Sequence, residues 1–222
     1  MTAAKRKAKQ TGKGDPKPRI RDADATRARI LAAAKREFSR LGLAGARVDM
    51  IASKAQANKR MIYHYFGNKE TLFQAVIEQV YVDIRTAEMR LSLEDLAPKE
   101  ALEKLVRFTW DYYLRNPEFI TLVNSENLHH AKHIRRSELV QSYSRQFVRL
   151  VGDILDRGVA SGDFRPGIDA VQLNITIAAI GYYYLTNRHT GSIIFERDLM
   201  SDQALEDRIC FNIDTIMHLV CR

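Results

Sequence analysis

The stretch that decides the fold reads VDMIASKAQANKRMIYHYF and spans residues 48–66. Apolar residues recur in it at helical spacing, first at Val48, Ile51, Ala52 and Ala55 and then at Ile62 and Phe66. Residues 56–58 interrupt the pattern, which therefore predicts two short helices joined by a tight turn. The open face of the second helix carries cations and hydrogen-bonding aromatics, namely Lys59, Arg60, Tyr63 and His64. Two such helices are typical of a helix-turn-helix that binds DNA.

Residues 51–73 also resemble a known motif. They read IASKAQANKRMIYHYFGNKETLF and resemble the recognition segment of the TetR/AcrR family of transcriptional regulators, whose pattern runs approximately IA..AGVS.GTIYYHF.SKE.L. The matches at corresponding spacing are Ile51, Ala52, Ala55, Ile62, Tyr63, Phe66, Lys69, Glu70 and Leu72, and Tyr65 keeps an aromatic ring where the pattern has His. The departures are Gln56, Ala57, Asn58, Arg60 and Met61, where the family often has Gly, Val, Ser, Gly and Thr. Asn58 retains an oxygen for helix capping, whereas Gln56 is unfavourable if the turn needs a positive φ.

The resemblance implies an all-α fold of about nine helices. It consists of a three-helix DNA-binding domain, predicted at residues 24–68, and a helical effector-binding and dimerisation domain, predicted at residues 69–222. The predicted DNA contacts are Arg47, Asn58, Lys59, Arg60, Tyr63, His64 and Lys69. In the family, the lysine that matches Lys69 contacts a DNA phosphate. The predicted partners are double-stranded DNA with a near-palindromic operator, a second copy of the chain and an unknown small-molecule effector.

Charge is concentrated in the N-terminal third of the chain. Residues 1–70 contain 18 Lys and Arg against 6 Asp and Glu, whereas residues 71–222 contain 17 against 21. This distribution indicates that only the N-terminal part meets a polyanion. Residues 1–23 are basic, rich in Gly and Pro and almost free of apolar residues, so they are predicted to form a disordered basic arm. Such an arm either follows the DNA backbone or minor groove or only keeps the chain soluble.

The composition bounds the location and class of the protein. Hydrophobic residues make up 45% of the chain, which is enough for a packed core, yet no apolar run reaches the ~18 residues of a membrane helix. The N-terminus lacks the apolar stretch of a secretory signal. Cys210 and Cys221 are expected to be reduced thiols. We therefore expect a cytoplasmic protein that contacts no membrane and holds neither a cofactor nor a metal.

The remaining chain shows further helical patterns. One runs from Lys69 to about Leu91 and predicts a helix of ~35 Å that connects the DNA-binding domain to the rest of the chain. Residues 168–185 and 205–220 carry more apolar surface than one monomer readily covers. The family resemblance implies that these two segments pair with their two-fold mates in a four-helix interface. Aspartate at Ile177 or Ile213 is then expected to give monomers.

Aromatic residues are concentrated in the C-terminal part, where the resemblance implies an effector pocket. The predicted lining is Trp110, Tyr113, Phe119, Val123, Asn127, Tyr143, Phe147 and Tyr183. The pattern does not separate lining from core, because most such rings are buried in packing. His129 and His133, with Glu126 nearby, have an i, i+4 spacing that invites a metal interpretation. No third His or Cys follows at ligand spacing on a neighbouring segment, which favours polar lining or a solvated helix end.

The predicted function is sequence-specific transcriptional regulation by a homodimer. We expect a repressor that a small-molecule effector releases from its operator, with no enzymatic activity. One alternative is a non-specific DNA-packaging protein, but its basic charge would be spread over the whole chain. The other alternative is a small α-helical enzyme, but the sequence has no GxSxG, Walker loop, GxGxxG or CxxC motif.

Overall fold

The protein is helical throughout the part that the structure describes. This computed structural model covers residues 18–135 and 137–222, which form ten α-helices and one short 3₁₀ turn, Leu93–Asp95. The α-helices are α1 (Pro18–Gly45), α2 (Val48–Lys54), α3 (Lys59–Phe66), α4 (Lys69–Met89), α5 (Pro98–Arg115), α6 (Pro117–Leu128), α7 (Glu138–Ser161), α8 (Ala170–Thr186), α9 (Arg188–Ile194) and α10 (Asp202–Val220). The all-α prediction is confirmed. The helix missing from the predicted set is α9.

The first helix begins earlier than the sequence predicts. It starts at Pro18, inside the predicted arm 1–23, so Asp24, where the DNA-binding domain was predicted to begin, lies within the helix. Proline suits a first turn because the N–H it lacks would have no partner there. Residues 1–17 of the predicted arm lie outside the described residues. Gly42 has a φ of +67° and interrupts α1 near its end, as expected of a helix-ending glycine.

The three N-terminal helices α1–α3, here called the head, share one apolar centre. Ile30 and Phe38 of α1, Ile51 of α2 and Ile62 of α3 are all fully buried. Each such side chain contributes about 1.5–3 kcal/mol when it leaves water. The apolar stripes predicted from the sequence are therefore the faces along which the three helices of the head pack together.

The remaining helices α4–α10, here called the body, are joined to the head by α4. This helix has 21 residues and is ~31 Å long, close to the prediction, and it ends two residues before Leu91. Near its start, the ring of Phe73 lies edge-on to Phe38 of α1, with 5.1 Å between the ring centroids. Lys35 of α1 also forms a 2.7 Å ion pair with Glu118 of α6. Head and body therefore share one continuous core.

In the body, α7 makes close contacts with Phe164 and with the 3₁₀ turn. Gly158 of α7 lies under the buried ring of Phe164, where an added Cβ would fall 1.9 Å from a ring carbon. Arg157 donates hydrogen bonds to the carbonyl oxygens of Leu93, Glu94 and Leu96, which closes the 3₁₀ turn against α7. Among the described residues, no helix combines the length and apolar character needed to cross a bilayer.

Candidate nucleic-acid interface

The turn between α2 and α3 has the geometry of a helix-turn-helix. The side chain of Asn58 accepts a hydrogen bond from the backbone N–H of Arg60 at 2.9 Å, so the predicted cap is confirmed. Gln56 has a φ of +50°, in the left-handed region that favours glycine. The turn thus has the conformation that the family's glycine suits, although glutamine occupies the position. This strain costs roughly 1–2 kcal/mol.

The side of the motif that packs on α1 is held by apolar contacts and by two arginines of α1. Ile62 and Phe66 of α3 are buried, and the guanidinium of Arg27 lies 5.2 Å from the centre of the Phe66 ring. Arg29 donates a hydrogen bond from Nε to the carbonyl oxygen of Ala55 at the end of α2. Positive charge at a helix C-terminus is favourable because the carbonyl groups point there. These two arginines therefore support the motif from behind.

A buried carboxylate holds α2 against α1. Glu37 of α1 has a side chain that is 1% exposed, and it forms ion pairs with Lys54 of α2 and with Arg40. The hydrogen bond from Lys54 lowers the pKa of Glu37, although burial acts in the opposite direction. Glu37 is consequently an anion at neutral pH, and it fixes the angle at which α2 and its turn present α3.

The predicted DNA contacts lie where a partner can reach them. Six of the seven are exposed, namely Arg47, Asn58, Lys59, Arg60, Tyr63 and His64, and Lys69 is partly exposed. On α3, positions 59, 60, 63 and 64 share one side of the helix because they are spaced i, i+1, i+4 and i+5. The buried stripe is on the opposite side. The exposed side of α3 therefore offers two cations, a phenol and an imidazole to a ligand.

Besides Asn58, which caps α3, two of the predicted contacts already have partners inside the head. The Lys59 ammonium lies 2.8 Å from a carboxylate oxygen of Asp49 on α2. The hydrogen bond from Lys59 lowers the pKa of Asp49, and the same contact raises the pKa of Lys59. Lys69 donates to the carbonyl oxygen of Ala44 at 3.1 Å. Among the described residues, Arg60 has no ion pair. Sequence reasoning missed Asp49, because no spacing rule links residues ten positions apart across a turn.

The predicted effector residues do not form one cavity. Trp110, Tyr113, Phe119 and Phe147 are buried in the core, Val123 and Tyr143 are half-buried, and Asn127 and Tyr183 are exposed. The amide of Asn127 donates to a carbonyl oxygen of its own helix, so it is directed away from the buried rings. Tyr183 lines a cavity of about 600 Å³ between α8, α9 and α10, together with Arg197 and Arg208. This cavity was not predicted from the sequence, because α9 was not predicted.

The buried rings instead surround a pair of charged residues that sequence reasoning missed. Arg85 and Glu88 of α4 form a 2.6 Å ion pair, and their side chains are only 15% and 3% exposed. The guanidinium carbon of Arg85 lies 4.3 Å from the centre of the Phe147 ring. Burial raises the pKa of Glu88 to about 7, although Arg85 acts to lower it. An i, i+3 pair of opposite charges in a sequence is typical of a solvated helix face, so the sequence did not indicate that this pair is buried.

The histidine segment closes a turn between α6 and α7. One carboxylate oxygen of Glu126 accepts the backbone N–H groups of His133 and Ile134, and the other lies 2.7 Å from Nδ1 of His133. Both of these side chains are buried, and the His133 ring lies edge-on to Phe73 at 4.9 Å. His133 therefore connects this turn to α4. No cluster of three or more potential metal-binding His, Cys, Asp or Glu residues was found in the described part of the chain.

Comparison with known proteins gives a family for both parts of the chain. Residues 30–76 match the family model of bacterial regulatory proteins of the tetR family, and residues 98–216 match a tetracyclin repressor-like C-terminal domain. The chain is 42% identical over 196 residues to the HTH-type transcriptional repressor NicS of Pseudomonas putida, covering 88% of this chain and 92% of that protein. It is 36% identical over 160 residues to the repressor SCO4008 of Streptomyces coelicolor, covering 71% and 79%. A TetR-family structure from Marinobacter aquaeolei shares the fold, with a TM-score of 0.66, 22% identity and coverage of 92% and 100%.

Proposed function

The chain belongs to the TetR family of bacterial transcriptional regulators, and we propose that it is a homodimeric repressor that an effector releases from a near-palindromic operator. The exposed side of α3 carries this proposal. Arg60 and Tyr63 extend from a helix whose first turn is capped by Asn58 and whose opposite side is buried. A rigid helix with exposed hydrogen-bond donors is what reading base edges in the major groove requires.

In this proposal the predicted contacts have two kinds of role. Lys59, Arg60, Tyr63 and His64 enter the major groove, where Tyr63 and His64 also hold phosphates. Arg47 and Lys69 hold phosphates from either side of α3. Lys59 reaches DNA only if its ammonium leaves Asp49 or is shared with it, because the two are already paired at 2.8 Å. Arg60 is therefore the principal candidate for base recognition, since the guanidinium fork pairs bidentately with guanine.

Exposed apolar side chains on the outer helices support a dimer. Val171, Ile175, Ala179 and Tyr183 recur every four residues on the exposed side of α8. On α10, Phe211 is 61% exposed. A continuous apolar surface of this kind usually marks an association site. Two heads held by a two-fold axis would meet half-sites about one helical turn, or 34–36 Å, apart.

The choice of substitutions that separate the subunits has to be corrected. Sequence analysis suggested aspartate at Ile177 to separate the subunits. Ile177 is 4% exposed within a single chain and packs in the body core. Aspartate there would unfold the body and so would not report on the dimer alone. Ile175 is 53% exposed on the same helix and is the appropriate position.

Contacts at the junction of head and body offer a route for release from DNA. Lys132, in the turn after α6, lies 2.9 Å from Glu70 in the first turn of α4. Phe73 packs against both α1 and His133. A ligand that moves α4 in the body would therefore change how α3 is presented, because α4 begins directly after the recognition helix.

We infer that the protein acts in the cytoplasm without enzymatic activity. Its charge supports regulation over DNA packaging, because the basic excess is confined to residues 1–70. The buried Glu126 and His133 are engaged in closing a turn, which supports a structural role rather than acid–base chemistry.

Selection of bound DNA from a random pool by the full chain tests the proposal. We expect a near-palindrome, and we expect Arg60→Ala to relax base preference by ~1–3 kcal/mol at one position of each half-site. Tyr63→Ala and Lys69→Ala should weaken binding to all sequences alike. Arg149→Ala, at an exposed position on α7, is the matched control. Equal affinity for the selected duplex and a random duplex across a salt titration would refute sequence-specific binding.

A further inference from the structure

The body contains a buried cation with an incomplete set of hydrogen bonds. Arg85 donates from Nη1 to Glu88, but its Nε is buried and has no hydrogen-bond partner among the described residues. Buried donors on charged groups are ordinarily satisfied, because an unsatisfied one retains its full desolvation cost. Phe147 covers one face of the guanidinium. The remaining edge of Arg85 is therefore available to an acceptor that the chain does not supply.

Glu88 is a weak counter-ion for Arg85. Because burial raises its pKa to about 7, this carboxyl is close to half-protonated at neutral pH. It then offers Arg85 only part of a negative charge. A buried charge without a full partner is unfavourable, and an anionic ligand would remove that cost.

The surroundings of the pair are aromatic and neutral. The rings of Tyr113 and Phe119 are stacked, with 5.7 Å between their centroids and 13° between their planes. The rings of Tyr81 and Tyr112 lie edge-on to Phe119, each at 5.9 Å. Burial raises the pKa of all three tyrosines, so their hydroxyls are neutral, and Arg85 is within electrostatic reach of each. The site thus combines one cation with flat apolar faces.

We propose that Arg85, with Glu88 beside it and these aromatic side chains around it, binds the carboxylate of a small aromatic acid, and that this acid is the effector. A carboxylate fits because the flat guanidinium fork accepts it through two parallel hydrogen bonds. An aromatic ring fits because it stacks on rings of the same kind. The regulatory part of this inference rests on the proposed function, whereas the binding part does not.

Binding exchanges one carboxyl for another. The carboxylate of the ligand takes the place of Glu88 on Arg85, and Glu88 takes up a proton from solvent and remains as a neutral acid. The titratable groups around Glu88 are Arg85 on its own helix and the phenols of Tyr112 and Tyr113 on α5, while α7 contributes the uncharged ring of Phe147. Proton uptake therefore approaches one per ligand as the pH rises above 7 and declines below it.

The position of the site on α4 gives the ligand a mechanical effect. Arg85 lies sixteen residues from Lys69, or ~24 Å along the helix. Nε of Arg85 is shielded from solvent, so entry of the ligand requires side chains of the body to move. Because α4 also packs against α1 and begins at the recognition helix, separation of Arg85 from Glu88 acts on the element that positions the head.

Calorimetry on the full-length chain with benzoate, benzamide and cyclohexanecarboxylate tests the proposal. Benzoate is expected to bind at least ~10-fold more tightly than benzamide, because only the carboxylate forms charge-assisted hydrogen bonds with the guanidinium. Cyclohexanecarboxylate should lie between them. At pH 8, heats measured in two buffers of different ionisation enthalpy should show uptake of nearly one proton per benzoate.

Two variants and one control identify the residues. Arg85→Gln should remove the preference for benzoate over benzamide, whereas Arg90→Gln, at the exposed end of the same helix, should retain it. Glu88→Gln should bind benzoate without proton uptake, which decides the matter even if Arg85→Gln does not fold. Equal affinities for benzoate and benzamide, no binding of any probe, or an unchanged preference in Arg85→Gln would each overturn the proposal.

A DNA measurement separates this inference from the proposed function. Benzoate bound at Arg85 should lower the affinity of the dimer for its selected operator and should itself bind less tightly to the DNA complex by the same factor. If benzoate binds as expected and operator affinity is unchanged, the site stands and its regulatory role is refuted. If no operator can be selected, the proposed function fails while the binding data still decide the site.

Discussion

The head and the body use charged residues in opposite ways. In the head, cations such as Arg60 stand exposed on α3, and the pair between Lys59 and Asp49 is at the surface, with side chains 47% and 58% exposed. In the body, the pair between Arg85 and Glu88 is withdrawn beneath aromatic rings and is nearly inaccessible. Exposed charges are solvated and can be exchanged for phosphate, whereas buried charges respond to small changes in their immediate surroundings.

This difference separates the two tasks of a regulator. A surface that meets a polyanion needs charges that water already screens, so that little is lost when DNA replaces water. A site that senses a small ligand benefits from a charge that water does not screen. A ligand group that pairs with such a buried charge then changes the free energy of the site by several kcal/mol. In the proposed function, these two tasks fall at the two ends of α4, which is the element they share.

The largest expected effect comes from separating the subunits through the body while the head is left intact. Ile175→Asp should yield monomers in sedimentation, because a carboxylate would be placed on the exposed apolar side of α8. Operator affinity should fall by roughly 10²–10⁴-fold, since two linked heads bind far more tightly than one. Leu139→Asp is the matched control, because Leu139 is a similarly exposed apolar residue, on α7. Dimers of Ile175→Asp at micromolar concentration would show that α8 is not the interface.

The pH dependence of stability should differ in sign between the two ends of α4. The raised pKa of Glu88 means that the folded chain binds the extra proton between pH 4.5 and about 7, so its stabilising contribution is lost as the pH rises through that window. Glu88→Gln should therefore gain stability relative to the parent from pH 5 to 8, by on the order of 1–3 kcal/mol.

Glu70, at the other end of α4, provides the opposite case in the same experiment. The hydrogen bond from Lys132 lowers the pKa of Glu70, so its contribution is present above pH 4.5 and is lost as the pH falls through the lowered pKa. Glu70→Gln should cost a little stability at pH 7 and nothing at the acid end. Chemical denaturation at several pH values measures both variants. Parallel curves of unfolding free energy against pH for the two variants would contradict the contrast between buried and exposed carboxylates.

A smaller effect is expected in the turn of the head. Gln56→Gly should stabilise the folded protein by about 1 kcal/mol, because glycine adopts the positive φ at this position without strain. Gln79→Gly is the matched control, since Gln79 is exposed inside α4 and glycine there should cost about 1 kcal/mol. The melting temperatures should consequently move in opposite directions. A loss of stability in both variants would mean that the turn is not strained.

The smallest effect concerns the exposed ion pair of the head. Asp49→Asn should release Lys59 and raise DNA affinity by a few-fold, because a solvent-exposed ion pair contributes little and one negative charge is removed from the side of the head proposed to meet DNA. The gain should shrink as salt is added. Glu94→Gln, at an exposed position in the body, is the control. A loss of affinity in Asp49→Asn would instead show that the carboxylate orients Lys59 for binding.

Local features of the fold were predictable because their signals lie within a few residues. The cap at Asn58 was predicted and is confirmed, since a side-chain oxygen reaches only the amides of the next turn. The bounds of α4 were predicted to within two residues from apolar spacing. The start of α1 was missed because residues before Asp24 have almost no apolar periodicity.

Features that depend on contacts between helices were not predictable from spacing. Both Arg85 and Glu88 look like surface residues in the sequence, and only the packing of α5, α6 and α7 over α4 buries them. Excess apolar surface on residues 168–185 was predicted, but the choice of Ile177 for substitution shows that the exposed side of α8 was not, because a nearly continuous apolar run does not indicate which side the chain itself covers.

The sequence by itself determined that the chain is helical, where its helix-turn-helix lies and which side of α3 is open, because each depends on side chains less than two turns apart. The tertiary structure decided the partners of Lys59 and Lys69, the burial of Arg85 beside a carboxyl of raised pKa, and the joining of head and body through Phe73. These depend on residues brought together from separate helices. Their energies are set by burial and distance, which a linear sequence does not specify.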